Sequence, residues 1–266
     1  MSLLVRLPDR AAMDRACAGW LAHRLQRDAQ AIVFAVCGGR SVDGILAALA
    51  LRADVPWPAV HLFLVDERVV PADHADSNQR QLQQSFVAPL VEAGRLREEN
   101  FHAFRFPDRP STAAQAAAIE ACNRELQALG GRFDAVLLSA GEDGHVAALF
   151  PGHRSYSDAA DGYVRFDDSP KAPAARVTAS RALLLRSRAA ALVFAGEAKR
   201  EALAAFLDCD RQDPGSAGAG DPAVAVGVAA GAAAGVASAG LDTGRAPSCL
   251  VRSLPEWAAF TDLDDR

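Results

Sequence analysis

The chain has 266 residues, 50% of them hydrophobic and 23% charged, a balance that supplies a sizeable core and excludes global disorder. Its net charge of −5 argues against a general nucleic-acid binder, which needs a basic face to neutralise phosphates, but leaves room for a small anionic ligand. Cys17, Cys37, Cys122, Cys209 and Cys249 are odd in number, widely spread and free of C-x-x-C spacing, so neither a disulfide framework nor a zinc site is expected.

The opening MSLLVRLPDR meets Arg6 before any apolar run long enough for an export signal, which makes the cytoplasm the expected compartment. Leu3 to Leu7 reads as an edge strand. From Asp9 to Asp28, residues Met13, Ala16, Cys17, Trp20, Leu21 and Leu25 recur at three and four, one face of a packing helix. Ala31 to Val36 reads as a buried strand, followed by Cys37-Gly38-Gly39-Arg40-Ser41 and a helical run from Val42 to Leu51. A strand, glycine loop and helix in that order aim backbone N–H groups and a positive helix end at one crevice, a seat for phosphate. The spacing is neither G-x-G-x-x-G nor the P-loop pattern, so no nucleotide is expected. Val60 to Val65 is the next strand. Asp66-Glu67-Arg68 directly after it are either a solvated loop or the lip of a site. Ser77 or Asp76 caps a helix through Leu82, Phe86 and Leu90. His74 and Asp76 lack a third ligand nearby, which argues against a metal.

Phe101 to Phe106 reads as a short strand and Thr112 to Leu129 as a helix stopped by Gly130-Gly131. Ala135 to Leu138 is the uninterrupted apolar run of a parallel strand covered on both faces. Gly141-Glu142-Asp143-Gly144-His145 follows at its carboxyl end, where ligand crevices of open α/β sheets lie. The glycines permit a tight path that aims Asp143 and His145 into a cleft, and a short helix then ends at Pro151-Gly152. Tyr163 to Phe166 reads as a strand, after which prolines impose an extended path that lays Lys171 and Arg176 along a cleft. Ala190 to Ala195 is a last strand before Gly196-Glu197-Ala198-Lys199 and a helix through Leu207. Lysine and arginine together number 28, yet Lys171 and Lys199 are the two lysines. Where arginine has taken nearly every surface cation, the survivors are candidates for places that need a compact ammonium.

This order implies one α/β domain, an open, mostly parallel, Rossmann-like doubly wound sheet with helices on both faces. From Asp213 to Gly244 alanine and glycine dominate, and Gly227, Gly231 and Gly235 recur every four residues. Large apolar side chains are too few there for a membrane span. A closely packed helix and a poorly ordered insertion at about 213–245 remain the alternatives. The tail from Ala246 recovers a core-like pattern.

Taken together, GGRS at 38–41, DERVVP at 66–71 with DSN at 76–78, GEDGHVAALFPG at 141–152, SPKAPAARVT at 169–178 and GEAK at 196–199 resemble the 6-phosphogluconolactonases of the pentose phosphate pathway. The wider superfamily includes glucosamine-6-phosphate deaminases, which typically carry tyrosine where this chain has Arg68 and N-E-P where it has Leu149-Phe150-Pro151. The resemblance implies hydrolysis of a small phosphorylated sugar lactone, 6-phospho-D-glucono-1,5-lactone, with no metal, cofactor, nucleic acid or membrane. The expected assembly is a monomer, with a weak homodimer as the alternative. His145 would take a proton from water, and Asp143 or Asp66 would fix its tautomer. Arg68 would face the oxyanion or hold the sugar acid's oxygens. Gly38, Gly39, Arg40 and Ser41, with Lys171, Arg176 and Lys199, would hold the phosphorylated substrate. The absence of G-x-S-x-G disfavours a serine esterase. Four positions depart from the family pattern: Cys37 stands for serine, Ala140 for a larger residue, and Val146 and Ala148 for threonine and serine beside His145. An amino-sugar-phosphate deaminase and a catalytically silent sugar-phosphate-binding protein are the competing readings.

Overall fold

A computed structural model describes residues 2–106, 112–209 and 246–264; the Ala/Gly-rich stretch at 213–245 lies outside them. β1 (Ser2–Arg6) leads to α1 (Arg10–Leu25), capped by Asp9, whose carboxylate accepts the Ala12 N–H. Met13, Cys17, Leu21 and Leu25 are buried along the face that the three-and-four spacing predicts. β2 (Ile32–Val36), α2 (Asp43–Ala50) and β3 (Val60–Leu64) follow, then β4 (Asp66–Arg68). Ser77, not Asp76, caps α3 (Asn78–Leu82), which runs through a π-helical turn at Gln83–Val87 into α4 (Ala88–Glu92). β5 (Phe101–His102), α5 (Thr112–Ala128), β6 (Ala135–Ser139) and α6 (Arg154–Ser157) come next. β7 (Tyr163–Phe166), β8 (Arg176–Ala179), α7 (Arg181–Leu185), β9 (Ala189–Phe194), α8 (Arg200–Leu207) and β10 (Glu256–Thr261) complete the order.

Seven strands form one sheet in the order β1-β10-β9-β6-β2-β3-β5, with every neighbouring pair parallel. β2 and β9 are buried at every position, as strands covered on both faces must be, and apolar runs rather than alternation are the result. From β2 the chain moves outward through β3 to β5, and from β6 outward the other way through β9 to β10. The order therefore reverses between β2 and β6, and a crevice belongs beyond their carboxyl ends.

Three features depart from expectation. Asp66–Arg68, left open between a solvated loop and the lip of a site, is the first strand of a second sheet, β4-β8-β7, antiparallel throughout, with Arg68 opposite Arg176 and Asp66 opposite Thr178. The stretch before Pro151 is not helical. Gly144 at φ 78° and Ala147 at φ 54° are left-handed, a conformation that cannot be built into a right-handed helix, and Val146 bridges Leu149 instead. Cys209 and Cys249 form a disulfide with Cα atoms 6.1 Å apart. The end of α8 and the 3₁₀ segment Pro247–Ser253 bring them together, which cysteine parity and local spacing do not register. Cys17, Cys37 and Cys122 are free and buried. Among the described residues no helix is long and apolar enough to cross a membrane.

Candidate active site

A cavity of about 340 Å³ opens at the carboxyl edge of the parallel sheet, where the strand order reverses. Gly38, Asp66, Arg68, His145, Lys171, Arg176 and Lys199 line it. The small sheet brings Arg68 and Arg176 side by side from positions 108 residues apart. Asp143 reaches the site through His145 without lining the cavity. Gly39, Arg40 and Ser41 do not line it either. Gly39 adopts φ 104° and its N–H is taken by Gln81 Oε1, while the Arg40 and Ser41 carbonyls both accept from Arg10 Nη2. The glycine loop thus presents Gly38, not its arginine, to the crevice.

The turn after β6 is built around His145. Gly141 N–H donates to His145 O at 2.7 Å and Gly144 N–H to Gly141 O at 3.1 Å, folding the imidazole over Gly141. A Cβ on Gly141 would lie 2.0 Å from His145 Nδ1 and 2.6 Å from Asp143 Oδ1, so no larger residue fits beneath the pair. Asp143 Oδ1 stands 2.5 Å from His145 Nδ1, and Lys171 Nζ stands 3.2 Å from that oxygen and 3.4 Å from Nδ1. Of the two carboxylates the sequence left open, Asp143 is the one that bonds the ring. Accepting from Nδ1–H leaves Nε2 as the lone-pair nitrogen of the neutral imidazole. Burial lowers the His145 pKa, the Asp143 hydrogen bond and charge oppose that, and Lys171 adds to the lowering. Partial burial works to raise the Asp143 carboxyl, but His145 and Lys171 outweigh it and hold it down at about 2. The pair is therefore carboxylate and neutral imidazole at neutral pH. The Phe150 ring lies against His145 with centroids 4.8 Å apart.

Positive charge dominates the walls. Arg68, Lys171, Arg176 and Lys199 face Asp66 and Glu142, an arrangement suited to an anion even in a chain of net charge −5. Arg68 donates Nη1 to Asp76 O at 2.6 Å, and its Nε is buried with no hydrogen-bond partner among the described residues. Arg176, 6% exposed, donates Nε to Pro173 O and Nη2 to Ala172 O, which anchors the segment carrying Lys171. Burial first, and Arg68 second, lower the Arg176 pKa. Burial also lowers that of Lys199, with Lys171 adding to it against the opposing charge of Glu142. Burial raises the Asp66 pKa, and the charges of Arg68, Arg176 and His145 oppose it.

Asn78, Cys37 and Phe150 line the cavity without having been singled out as binding residues. Burial, with the Asp66 charge behind it, pushes the Cys37 thiol up to about 12, so it is present as the thiol rather than a nucleophilic thiolate. The substitutions at Val146 and Ala148 fall on the core side of the turn. Both side chains are buried, Ala148 N–H donates to Thr178 Oγ1, and Ala147 is the residue that faces the cavity. His74 and Asp76 form an exposed pair, and among the described residues no cluster of three His, Cys, Asp or Glu is placed to hold a metal ion.

Fold and site together fall in one class: the chain belongs to the family of glucosamine-6-phosphate isomerases/6-phosphogluconolactonase, whose model matches residues 8–233. Within it, the chain is similar to 6-phosphogluconolactonase of Borreliella burgdorferi, 36% identical over 172 residues that cover 65% of this chain and 71% of that one. It is similar also to 6-phosphogluconolactonase 3, chloroplastic, of Arabidopsis thaliana, at 32% over 199 residues, 70% of this chain and 59% of the plant protein's length. Among solved structures, 6-phosphogluconolactonase from Thermotoga maritima shares the fold with a TM-score of 0.72 at 21% identity, covering 98% of this chain and 99% of that one. A monomeric glucosamine-6-phosphate deaminase shares it with a TM-score of 0.67 at 14% identity, covering 97% and 96%. The fold alone does not choose between the two activities.

Proposed function

We propose that the protein hydrolyses 6-phospho-D-glucono-1,5-lactone to 6-phosphogluconate by general-base attack of water. The observation that carries this reading is the Asp143–His145 pair, held by Nδ1 with Nε2 left as base, beside a cavity walled by four cations. His145 Nε2 takes a proton from water as its oxygen attacks the lactone carbonyl. Arg68, which lines the cavity, meets the charge that develops on the carbonyl oxygen. When the tetrahedral adduct collapses, the ring C–O bond breaks and the leaving oxygen takes the proton back from the imidazolium. Asp143 stabilises that imidazolium without itself becoming protonated. Gly38, Arg176 and Lys199 hold the phosphate, and binding the remote dianion orients the carbonyl for attack.

The scheme calls for no metal or cofactor. The same reading takes the chain as a single α/β domain working in the cytoplasm as a monomer or weak homodimer. The test is lactone hydrolysis by the purified full chain at several pH values, corrected for the uncatalysed rate, with ammonia release from glucosamine 6-phosphate measured in parallel. Lactone turnover above the spontaneous rate supports the proposal. Ammonia release without it replaces the proposal by the deaminase, and neither activity leaves a silent sugar-phosphate binder.

A further inference from the structure

Glu67 is 2% exposed and does not line the cavity, yet both of its carboxylate oxygens are fully engaged. Oε1 accepts the Arg68 N–H at 2.7 Å and the Asn78 N–H at 2.8 Å. Oε2 accepts the Ser77 Oγ–H at 3.0 Å and the Gln79 N–H at 2.6 Å. An ionised carboxylate offers about four acceptor sites and no donor, so this one is filled. Burial pushes its pKa up, but four donors oppose that shift. A proton on either oxygen would face an N–H or O–H group. The donors come from both ends of the loop 69–77, so a single buried charge pins those ends together.

We infer that Glu67 is a positioning residue that sets the cationic wall of the cavity. With residues 77–79 fixed, the Asp76 carbonyl is held where it accepts Arg68 Nη1 at 2.6 Å, and Asn78 Nδ2 donates to Asp66 O at 3.0 Å. The Asn78 side chain then fills the space beside Gly38, where a Cβ would stand 2.2 Å from Asn78 Oδ1. Arg68, Asp66, Asn78 and Gly38 are all lining residues, and each takes its place through a contact that starts at Glu67. Among the described residues, the hydrogen bonds of Asp143, His145 and Lys171 to one another do not involve Glu67. This inference rests on the reading of Arg68 as a group that meets the substrate.

Glu67→Gln keeps the shape and places an amide NH₂ where two donors point, so at least one pair is broken. A displacement of reacting groups by about 1 Å can cost about 100-fold, and kcat/KM per folded molecule is expected to fall at least about tenfold. The acidic limb of the pH profile, which belongs to His145, is expected to stay where it is. Glu67→Asp, which keeps the charge, recovers part of the loss, and Ser77→Ala, which removes one donor of four, loses less. Should Glu67→Gln fail to fold, Ser77→Ala and Glu67→Asp carry the same comparison. Normal kcat/KM with only a lowered melting temperature overturns the inference, as does a fall accompanied by a moved acidic limb. If the wild-type chain does not hydrolyse the lactone, the failure belongs to the proposed reaction. Calorimetric titration with 6-phosphogluconate then decides: weaker binding in Glu67→Gln supports the positioning role, and unchanged binding overturns it.

Discussion

Replacing Asp143 by asparagine removes one charge and almost no volume from beside His145. Two consequences follow from the contacts at Nδ1. Of the influences that hold the imidazole pKa up, the hydrogen bond and charge of Asp143 are lost and the smaller contribution of the Asp66 charge stays, while burial and Lys171, which lower it, remain. The base is active when neutral, so kcat/KM rises with pH through the His145 pKa, and the rise is displaced to lower pH in the variant. Lys171 Nζ, 3.4 Å from Nδ1, also loses its carboxylate and is free to donate to that nitrogen. The ring proton then moves to Nε2, the atom that has to accept from water. A hydrogen bond to a charged group is worth about 1.5–3 kcal/mol, which corresponds to about 10- to 150-fold in rate. Because the Asp143 side chain is 38% exposed, solvent screening favours the lower part of that range. The assay is initial-rate lactone hydrolysis from pH 5 to 8 with the uncatalysed rate subtracted. A plateau within about twofold of wild type, or an acidic limb that stays put or moves up, refutes the reasoning.

Lys171→Met alone removes a cation that lowers the His145 pKa, so the acidic limb moves to higher pH, while KM rises as an anion-binding group is lost; a limb displaced downward contradicts this. Gly141→Ala drives a methyl group to within 2.0 Å of His145 Nδ1, and kcat/KM per folded molecule falls about 100-fold; a fall below about threefold shows that the turn yields. Cys209 and Cys249 close a loop with a sequence separation of 40, for which chain entropy gives at most about 4 kcal/mol. Urea denaturation with and without dithiothreitol reads this as a lower midpoint under reduction, and identical midpoints count against the bond. Alkylation of the denatured, unreduced chain is expected to label Cys17, Cys37 and Cys122 alone.

The parallel sheet was legible because its strands are buried on both faces, and runs such as Ile32–Val36 and Ala135–Leu138 have no reason to alternate. The helical face of α1 and the Ser77 cap were legible because their signals are local. The second sheet was not. Its first strand is three residues long and charged, and its strand character comes from pairing with residues 176–178. The Asp143–His145 pair was foreshadowed by two glycines in five residues, yet the choice between Asp143 and Asp66 depended on turn geometry. The left-handed Ala147 that replaces the expected helix has no sequence mark, because alanine ordinarily favours the right-handed conformation. Arg40 was drawn to the site by its neighbours in sequence, but it does not line the cavity and its carbonyl accepts from Arg10. Asn78 enters through a contact with Gly38 across the fold, and the Cys209–Cys249 bond through the docking of a distant 3₁₀ segment; neither is a matter of spacing.

The proposed reaction depends above all on His145 as the base. His145→Ala removes the imidazole that Asp143 holds through Nδ1 and leaves the four lining cations in place. Lactone hydrolysis is expected to fall by about 10²–10⁴, to the level of the uncatalysed reaction, while calorimetric titration still detects 6-phosphogluconate binding. Turnover within a few-fold of wild type by a folded His145→Ala variant would contradict the account.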